Sequence, residues 1–189
     1  MDAPSPFFED LPDDHKSGYV ALIGKPNVGK STLMNAMVGR KLSIVTRKPQ
    51  TTRNRVIGIH SDESHQVIFL DTPGIIKPQY RLHEAMMGQV ESAVRDADLL
   101  LFLHDVTQDS PDTFSLEQAG ERPAFLVLTK MDLIPNEQAL PLVEKYTALR
   151  GFDEVVPTSA VKGTNVDTLL DLIVDRLPLG PPFYPKEMV

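Results

Sequence analysis

Four short, continuous apolar runs punctuate the chain: Tyr19 to Ile23, Val67 to Leu70, Leu99 to Leu103 and Ala124 to Leu128. Runs of this length, bounded by polar and turn residues, are the pattern of strands covered on both faces, as in a parallel sheet. Val155-Val156 is a weaker fifth candidate. Between the runs the period changes. Val166, Leu169, Leu170, Ile173, Val174 and Leu177 recur at the three- and four-residue spacing of a helix with one apolar face. Thr164, three residues ahead of Asp167, suits the N-cap of that helix. Leu82, Met86, Val90, Val94 and Ala97 make a second stripe, and a third helix begins at Lys30, directly after the first strand, and runs to Val38. Strand alternating with helix predicts an α/β domain, helices on both faces of a mostly parallel central sheet. Such sheets bind ligands at the carboxyl ends of their strands.

The two ends of the chain break this alternation. Residues 1–17 carry three prolines and an acidic cluster (Glu9, Asp10, Asp13, Asp14) without any period, the composition of a mobile tail. From Leu177 to Pro185 prolines are too dense for helix or strand, which predicts a linker. The formal charge is 19 − 26 = −7, so the surface as a whole repels nucleic-acid phosphate. The absence of Cys removes disulfide, thiolate and Cys-based metal chemistry. Met1-Asp2-Ala3-Pro4 lacks the basic start of a signal peptide, and Leu99 to Leu103 falls far short of the ~20 residues a membrane span needs. A cytoplasmic protein is expected.

Chemistry enters right after the first strand. Gly24-Lys25-Pro26-Asn27-Val28-Gly29-Lys30-Ser31 satisfies G-x-x-x-x-G-K-[ST], with a strand before it and a helix after it. In a chain of this composition the pattern arises by chance roughly 0.4% of the time, before its flanking elements are required. The two glycines let the backbone curl so that successive N–H groups face phosphate oxygens, and the following helix, which opens through Thr32, adds its positive end. Lys30 is the point charge for the β- and γ-phosphates. The Ser31 hydroxyl is a hard oxygen ligand for Mg²⁺.

Three further clusters sit at strand ends. Asp71-Thr72-Pro73-Gly74 follows the Val67 to Leu70 run; an acidic residue there holds Mg²⁺ through water, and the Gly74 N–H senses the γ-phosphate. Thr129-Lys130-Met131-Asp132 follows the Ala124 to Leu128 run. A carboxylate at Asp132 accepts two N–H donors from guanine, a pair that adenine lacks, while the Lys130 stem lies along the base. Thr158-Ser159-Ala160-Val161-Lys162 offers backbone N–H groups to the guanine carbonyl. From Arg40 to Arg55 there are six basic residues and no acidic one, read either as a solvated loop or as a partner surface that changes with nucleotide. Within it Thr52, ahead of Thr51, is the candidate to add a hydroxyl to the Mg²⁺ shell. The five histidines show no metal-ligand spacing.

Together these residues resemble the translation-factor-related GTPases, and within them the Era-type family. The resemblance covers about residues 18 to 189. It is carried by Gly24 to Asn35 (GKPNVGKSTLMN), Arg47 to Arg53 (RKPQTTR), Asp71 to Ile75 (DTPGI) and Gly180 to Pro185 (GPPFYP). It implies a Ras-like P-loop NTPase fold and a switch that binds GTP and hydrolyses it to GDP and phosphate. It divides the chain into a tail (1–17), a GTPase domain (18–178) and the start of a linker (179–189) to a KH domain. In the family that domain binds the 3′ end of 16S rRNA during small-subunit assembly. The resemblance further implies a monomer, with peripheral association at the inner face of the cell membrane.

Two departures from the family pattern matter. Thr129 stands where the family has Asn, which removes an amide that braces the P-loop and predicts some loss of affinity. The stretch from Asp105 to Pro123 is short, which reduces its helix to a turn or two around Phe114 to Ala119. Ile75 occupies the place of the glutamine that orients attacking water in Ras-like switches. In related GTPases an Asn at the place of Asn27 helps hold potassium against the phosphates. Asn27 is therefore either catalytic, with Lys30, Thr52 and Gly74, or a shaper of the loop. The rival function is a guanine-nucleotide-dependent docking module with little or no hydrolysis; an ATP-specific enzyme is disfavoured by Asp132.

Overall fold

The computed structural model describes residues 12–39, 56–70, 72–75 and 81–184. Asp71, the basic segment from Arg40 to Arg55 with Thr51 and Thr52, and residues 185–189 lie outside the described residues.

Six strands form one sheet in the order β2-β3-β1-β4-β5-β6. They are β1 (Lys16–Ile23), β2 (Val56–Ser61), β3 (His65–Leu70), β4 (Leu99–Asp105), β5 (Ala124–Thr129) and β6 (Glu154–Pro157). Every pairing is parallel except that of β2 with β3. The helices are α1 (Lys30–Val38), α2 (Arg81–Asp96), α3 (Thr113–Ala119), α4 (Leu140–Thr147) and α5 (Val166–Arg176). Alternate residues along each central strand serve opposite faces. Ala21, Ile23, Ile68, Leu100, Phe102 and Leu126 pack against α2, α3 and α4, whereas Val20, Leu22, Phe69, Leu101, Phe125 and Val127 pack against α1 and α5. This is the expected three-layer arrangement, and it explains why the runs Val20 to Ile23, Val67 to Leu70, Leu99 to Leu103 and Ala124 to Leu128 are apolar on both faces.

Several local expectations need correction. β2 was not anticipated, because an edge strand lacks the continuous apolar run of a central one and because Gly58 interrupts it. A Cβ at Gly58 would lie 2.8 Å from Val38 Cγ2, so the glycine lets α1 approach the edge. The N-cap of α5 is Asn165, not Thr164. Asn165 adopts a left-handed φ of 55° and donates its amide to the Pro157 carbonyl, while Thr164 is held in a backbone bridge with Ser159. On α2, Met87 rather than Met86 is buried with Val90, Ala93 and Val94. α4 was missed, and it supplies the fully buried Tyr146.

Residues 15–17 and 178–184 are also built into the fold, against the expectation from composition. Lys16 and Ser17, placed in the tail, begin β1, and His15 is buried. The proline-rich segment after α5 folds back under the amino ends of β1 and β3. Ser17 N–H donates to Pro178 O (3.1 Å) and Gly180 N–H to His15 O (2.9 Å). The Gln66 side chain, fully buried, accepts from the N–H groups of Phe183 and Tyr184 (2.8 and 2.9 Å) and donates to Tyr184 O (2.9 Å). Residues 178–184 are thus part of the folded unit. The prolines do not interfere, since the two N–H groups that Gln66 takes up belong to Phe183 and Tyr184.

Candidate nucleotide site

The P-loop joins β1 to α1 at the carboxyl edge of the sheet. Three of its residues have positive φ: Gly24 (143°), Asn27 (63°) and Gly29 (100°). A Cβ at Gly24 would fall 2.5 Å from the Leu103 carbonyl oxygen, so this glycine is needed for contact as well as conformation. Val28 is buried at 2% exposure and turns its side chain into the core, leaving only its backbone for a ligand. Asn27, Ser31 and Thr32 are exposed on the loop and the first turn of α1. Lys30 Nζ donates to the carbonyls of Gly24 (2.9 Å) and Lys25 (2.8 Å), which holds its ammonium across the loop.

The segment after β3 lies directly on the P-loop. Ile75 N–H donates to Gly24 O (3.0 Å), and a Cβ at Gly74 would come within 2.7 Å of Pro26. Only glycine at 74 permits this approach. The Thr72 hydroxyl donates to Leu22 O and so tethers the segment to β1 rather than facing a ligand. Ile75 is buried at 1% exposure, a core residue that cannot orient water.

On the base side, Lys130 sits at a left-handed φ of 62° and donates to Asp105 Oδ2 at 2.6 Å. Burial alone would raise the Asp105 carboxyl, but hydrogen bonds from Lys130 and Thr107 outweigh it and hold the pKa below the usual value. Met131 is buried, and its N–H donates to Thr158 O (3.1 Å), which locks the two base-side loops together. Ser159 Oγ donates to Asp132 Oδ1 at 2.5 Å and accepts from Lys162 N–H at 3.2 Å. Ser159 was expected to offer its backbone N–H to guanine, yet that group donates to Thr164 O (3.2 Å), leaving Ala160 and Val161 as the N–H candidates. The hydroxyl of Ser159 is what sequence reasoning missed; it aims the exposed Asp132 carboxylate.

Thr129 corrects a second expectation. Its buried hydroxyl reaches the Val28 carbonyl at 2.6 Å and the His104 carbonyl at 3.1 Å. The brace attributed to an asparagine amide is therefore present, supplied by a hydroxyl. Its signal was already in the sequence, since threonine is the smallest substitution that keeps both a donor and strand-forming branching at the last residue of β5.

Among the described residues no group of His, Cys, Asp and Glu is placed to hold a metal by itself. The donors present suit Mg²⁺ shared with a phosphate ligand, because the Ser31 hydroxyl is an exposed hard oxygen one residue beyond Lys30. Asp71 and Thr52, the other two candidate ligands, lie outside the described residues.

A family profile described as 50S ribosome-binding GTPase matches residues 19–130, more than half of the chain. The chain is 46% identical over 178 residues to a GTPase Era from Clostridium botulinum (strain Eklund 17B / Type B), covering 92% of this chain and 60% of that protein. It is similar to a crystal structure of Era in complex with MgGDPNP and nucleotides 1506–1542 of 16S ribosomal RNA, at 39% identity and a TM-score of 0.78, over 92% of this chain and 61% of that one. A variant of Aquifex aeolicus Era bound to GDP.AlF4- matches at 38% identity and a TM-score of 0.77, over 92% and 61% of the two chains. The chain thus spans about 60% of the length of the relatives it matches.

Proposed function

The chain belongs to the 50S ribosome-binding GTPase family, and we propose that it binds GTP and hydrolyses it to GDP and phosphate as a molecular switch. In this reading the folded unit, from β1 at Lys16 through the segment that Gln66 holds at Phe183 and Tyr184, is the switch domain of an Era-like factor, and the residues after it begin the connection to a KH domain. The observation that carries it is the tie between the two halves of the site: Thr129 holds the phosphate loop at Val28 while Ser159, two residues beyond the end of β6, aims Asp132. A phosphate cradle and a guanine-reading carboxylate are thereby set at one fixed spacing. Mg²⁺, held by Ser31 with Asp71 and Thr52, would supply charge against the β- and γ-phosphates. The likeness to an Era bound to a 16S rRNA segment supports the small ribosomal subunit as the partner of the whole factor. With a net charge of −7, this chain alone is expected to bind RNA weakly. A cytoplasmic monomer, peripheral at the inner membrane face, completes the reading and rests on the family resemblance.

Hydrolysis is slow in this reading, because Ile75 is core and supplies no water-positioning group. Asn27, exposed at a left-handed bend, fits a role in holding potassium, which would add positive charge where transition-state charge develops. The test has two arms. GTP, ATP and xanthosine triphosphate binding are compared for the parent and Asp132→Asn. The parent prefers GTP, and the variant loses roughly tenfold or more for GTP, since each charge-assisted hydrogen bond is worth about 1.5–3 kcal/mol, while gaining for xanthosine triphosphate. Phosphate release is then followed in potassium and in sodium chloride at equal ionic strength. Release faster in potassium supports the role of Asn27; equal rates reject it, and no release in either salt favours the docking module.

A further inference from the structure

The second residue of the P-loop is held at both ends. The Lys25 carbonyl accepts from Lys30 Nζ at 2.8 Å, while the Lys25 ammonium lies 3.9 Å from Asp112 Oδ1. Asp112 belongs to the β4–α3 connection, far from the P-loop in sequence, and its side chain is only 4% exposed against 43% for Lys25.

Asp112 itself is fixed from two sides. Its Oδ1 caps α3 by accepting from Ser115 N–H at 3.2 Å. Its own N–H donates to the Tyr146 phenol oxygen at 2.8 Å, and that phenol meets His104 Nδ1 at 2.7 Å. Because the phenol accepts from Asp112, its proton goes to Nδ1. His104 then carries its proton on Nε2 and donates it to the Gln108 carbonyl at 2.9 Å. These contacts place the carboxylate but do not use its charge. A helix cap needs one oxygen, and Asn caps as well as Asp. The other oxygen, Oδ2, is buried without a hydrogen-bond partner among the described residues. A buried carboxylate used only as a cap carries a desolvation cost that the cap does not offset, and the cation paired with it is Lys25.

We propose that Asp112 is a positioning residue for the P-loop: its charge draws the Lys25 side chain toward the β4–α3 connection and so fixes the Gly24 and Lys25 carbonyls that orient Lys30. The inference rests on the GTP-binding reading above. It makes the short α3 a functional element, because its cap and the phosphate loop share one carboxylate, and Tyr146 on α4 and His104 on β4 hold that carboxylate in register.

The experiment measures dissociation rates of GDP and of a non-hydrolysable GTP analogue for the parent, Asp112→Asn, Lys25→Met, Lys25→Arg and the Asn/Met double variant, with thermal melting of each. Each of Asp112→Asn and Lys25→Met is expected to speed dissociation about fivefold, and the double variant no more than either alone, as for two ends of one interaction. Lys25→Arg keeps the charge and stays near the parent. Asp112→Asn retains the cap and melts at or above the parent. Parent-like dissociation for Asp112→Asn overturns the proposal, whether or not its melting temperature falls, and so do effects that multiply in the double variant. A parent that binds neither nucleotide refutes the GTP-binding reading, a result distinct from either.

Discussion

On the phosphate side of the site the chain works with backbone, and on the base side it works with side chains. Gly24, Asn27 and Gly29 bend the P-loop through positive φ, and its shape is set by the backbone before Lys30 and the Ser31 hydroxyl add their side chains. Around Asp132 the contacts are instead Ser159 to Asp132, Lys130 to Asp105 and Thr129 to Val28, each linking segments that are separate in the sequence. A backbone device needs particular residue types at fixed spacing, so it is intolerant of a Cβ and indifferent to most side chains. A side-chain device needs one donor or acceptor at one place, so different residues can fill it. Thr129 in place of the usual asparagine is an instance.

The largest effect is expected where the backbone device has no room. In Gly24→Ala the new Cβ would meet the Leu103 carbonyl oxygen, which belongs to the central strand β4 and cannot withdraw. Strain at positive φ combined with a backbone clash costs on the order of 2–4 kcal/mol. Calorimetric melting should show a clear loss of stability, and nucleotide affinity should fall about a hundredfold. Gly29→Ala is the internal control, since its Cβ would meet nothing nearer than 3.8 Å and only the φ of 100° is strained. If Gly24→Ala is no worse than Gly29→Ala, the clash is relieved by movement and the loop is less backbone-determined than argued.

A smaller effect tests the side-chain half. Thr129→Val keeps the shape and the β-branching but leaves the Val28 and His104 carbonyls without this hydroxyl donor. A neutral hydrogen bond contributes ~0.5–1.5 kcal/mol net, which predicts nucleotide dissociation faster by roughly two- to tenfold. Thr129→Ser, retaining the hydroxyl, should lie close to the parent. Equal dissociation for all three would mean that the P-loop holds its shape unaided and the two halves are independent.

The same division decides what the sequence made legible. The P-loop, its flanking strand and helix, and the strand ends carrying Asp71 and Asp132 were readable because periodicity and glycine spacing are local. The role of Ser159 was not, since a serine next to Ala160 gives no sign that its hydroxyl meets a carboxylate 27 residues away. Nor was the order of residues 178–184. Their proline content argues for a linker, and what fixes them is Gln66, 117 residues earlier. β2 escaped for a different reason: Gly58 breaks its apolar pattern to admit α1.

The subtlest expected effect lies behind the junction of the two halves, where the His104 carbonyl accepts from Thr129 and the His104 ring meets Tyr146. Burial lowers the pKa of His104, and the opposing pull of the Gln108 carbonyl and of Asp112 does not restore it. The unfolded chain, titrating near the ordinary value of about 6.5, therefore binds the proton more readily than the folded one. The His104 contribution to stability is complete above that value and is lost as pH falls through the folded value. Protonation at Nδ1 would also oblige the Tyr146 phenol to abandon its donated hydrogen bond. Asp62 and Asp105, both with lowered carboxyl pKa values, act in a separate window, because their stabilisation is lost only below the ordinary carboxylate range near 4. Urea midpoints at pH 7 and pH 5.5 should thus fall for the parent, and the fall should be smaller in His104→Gln. A variant with the parent's full pH dependence between those values would remove His104 as the titrating group.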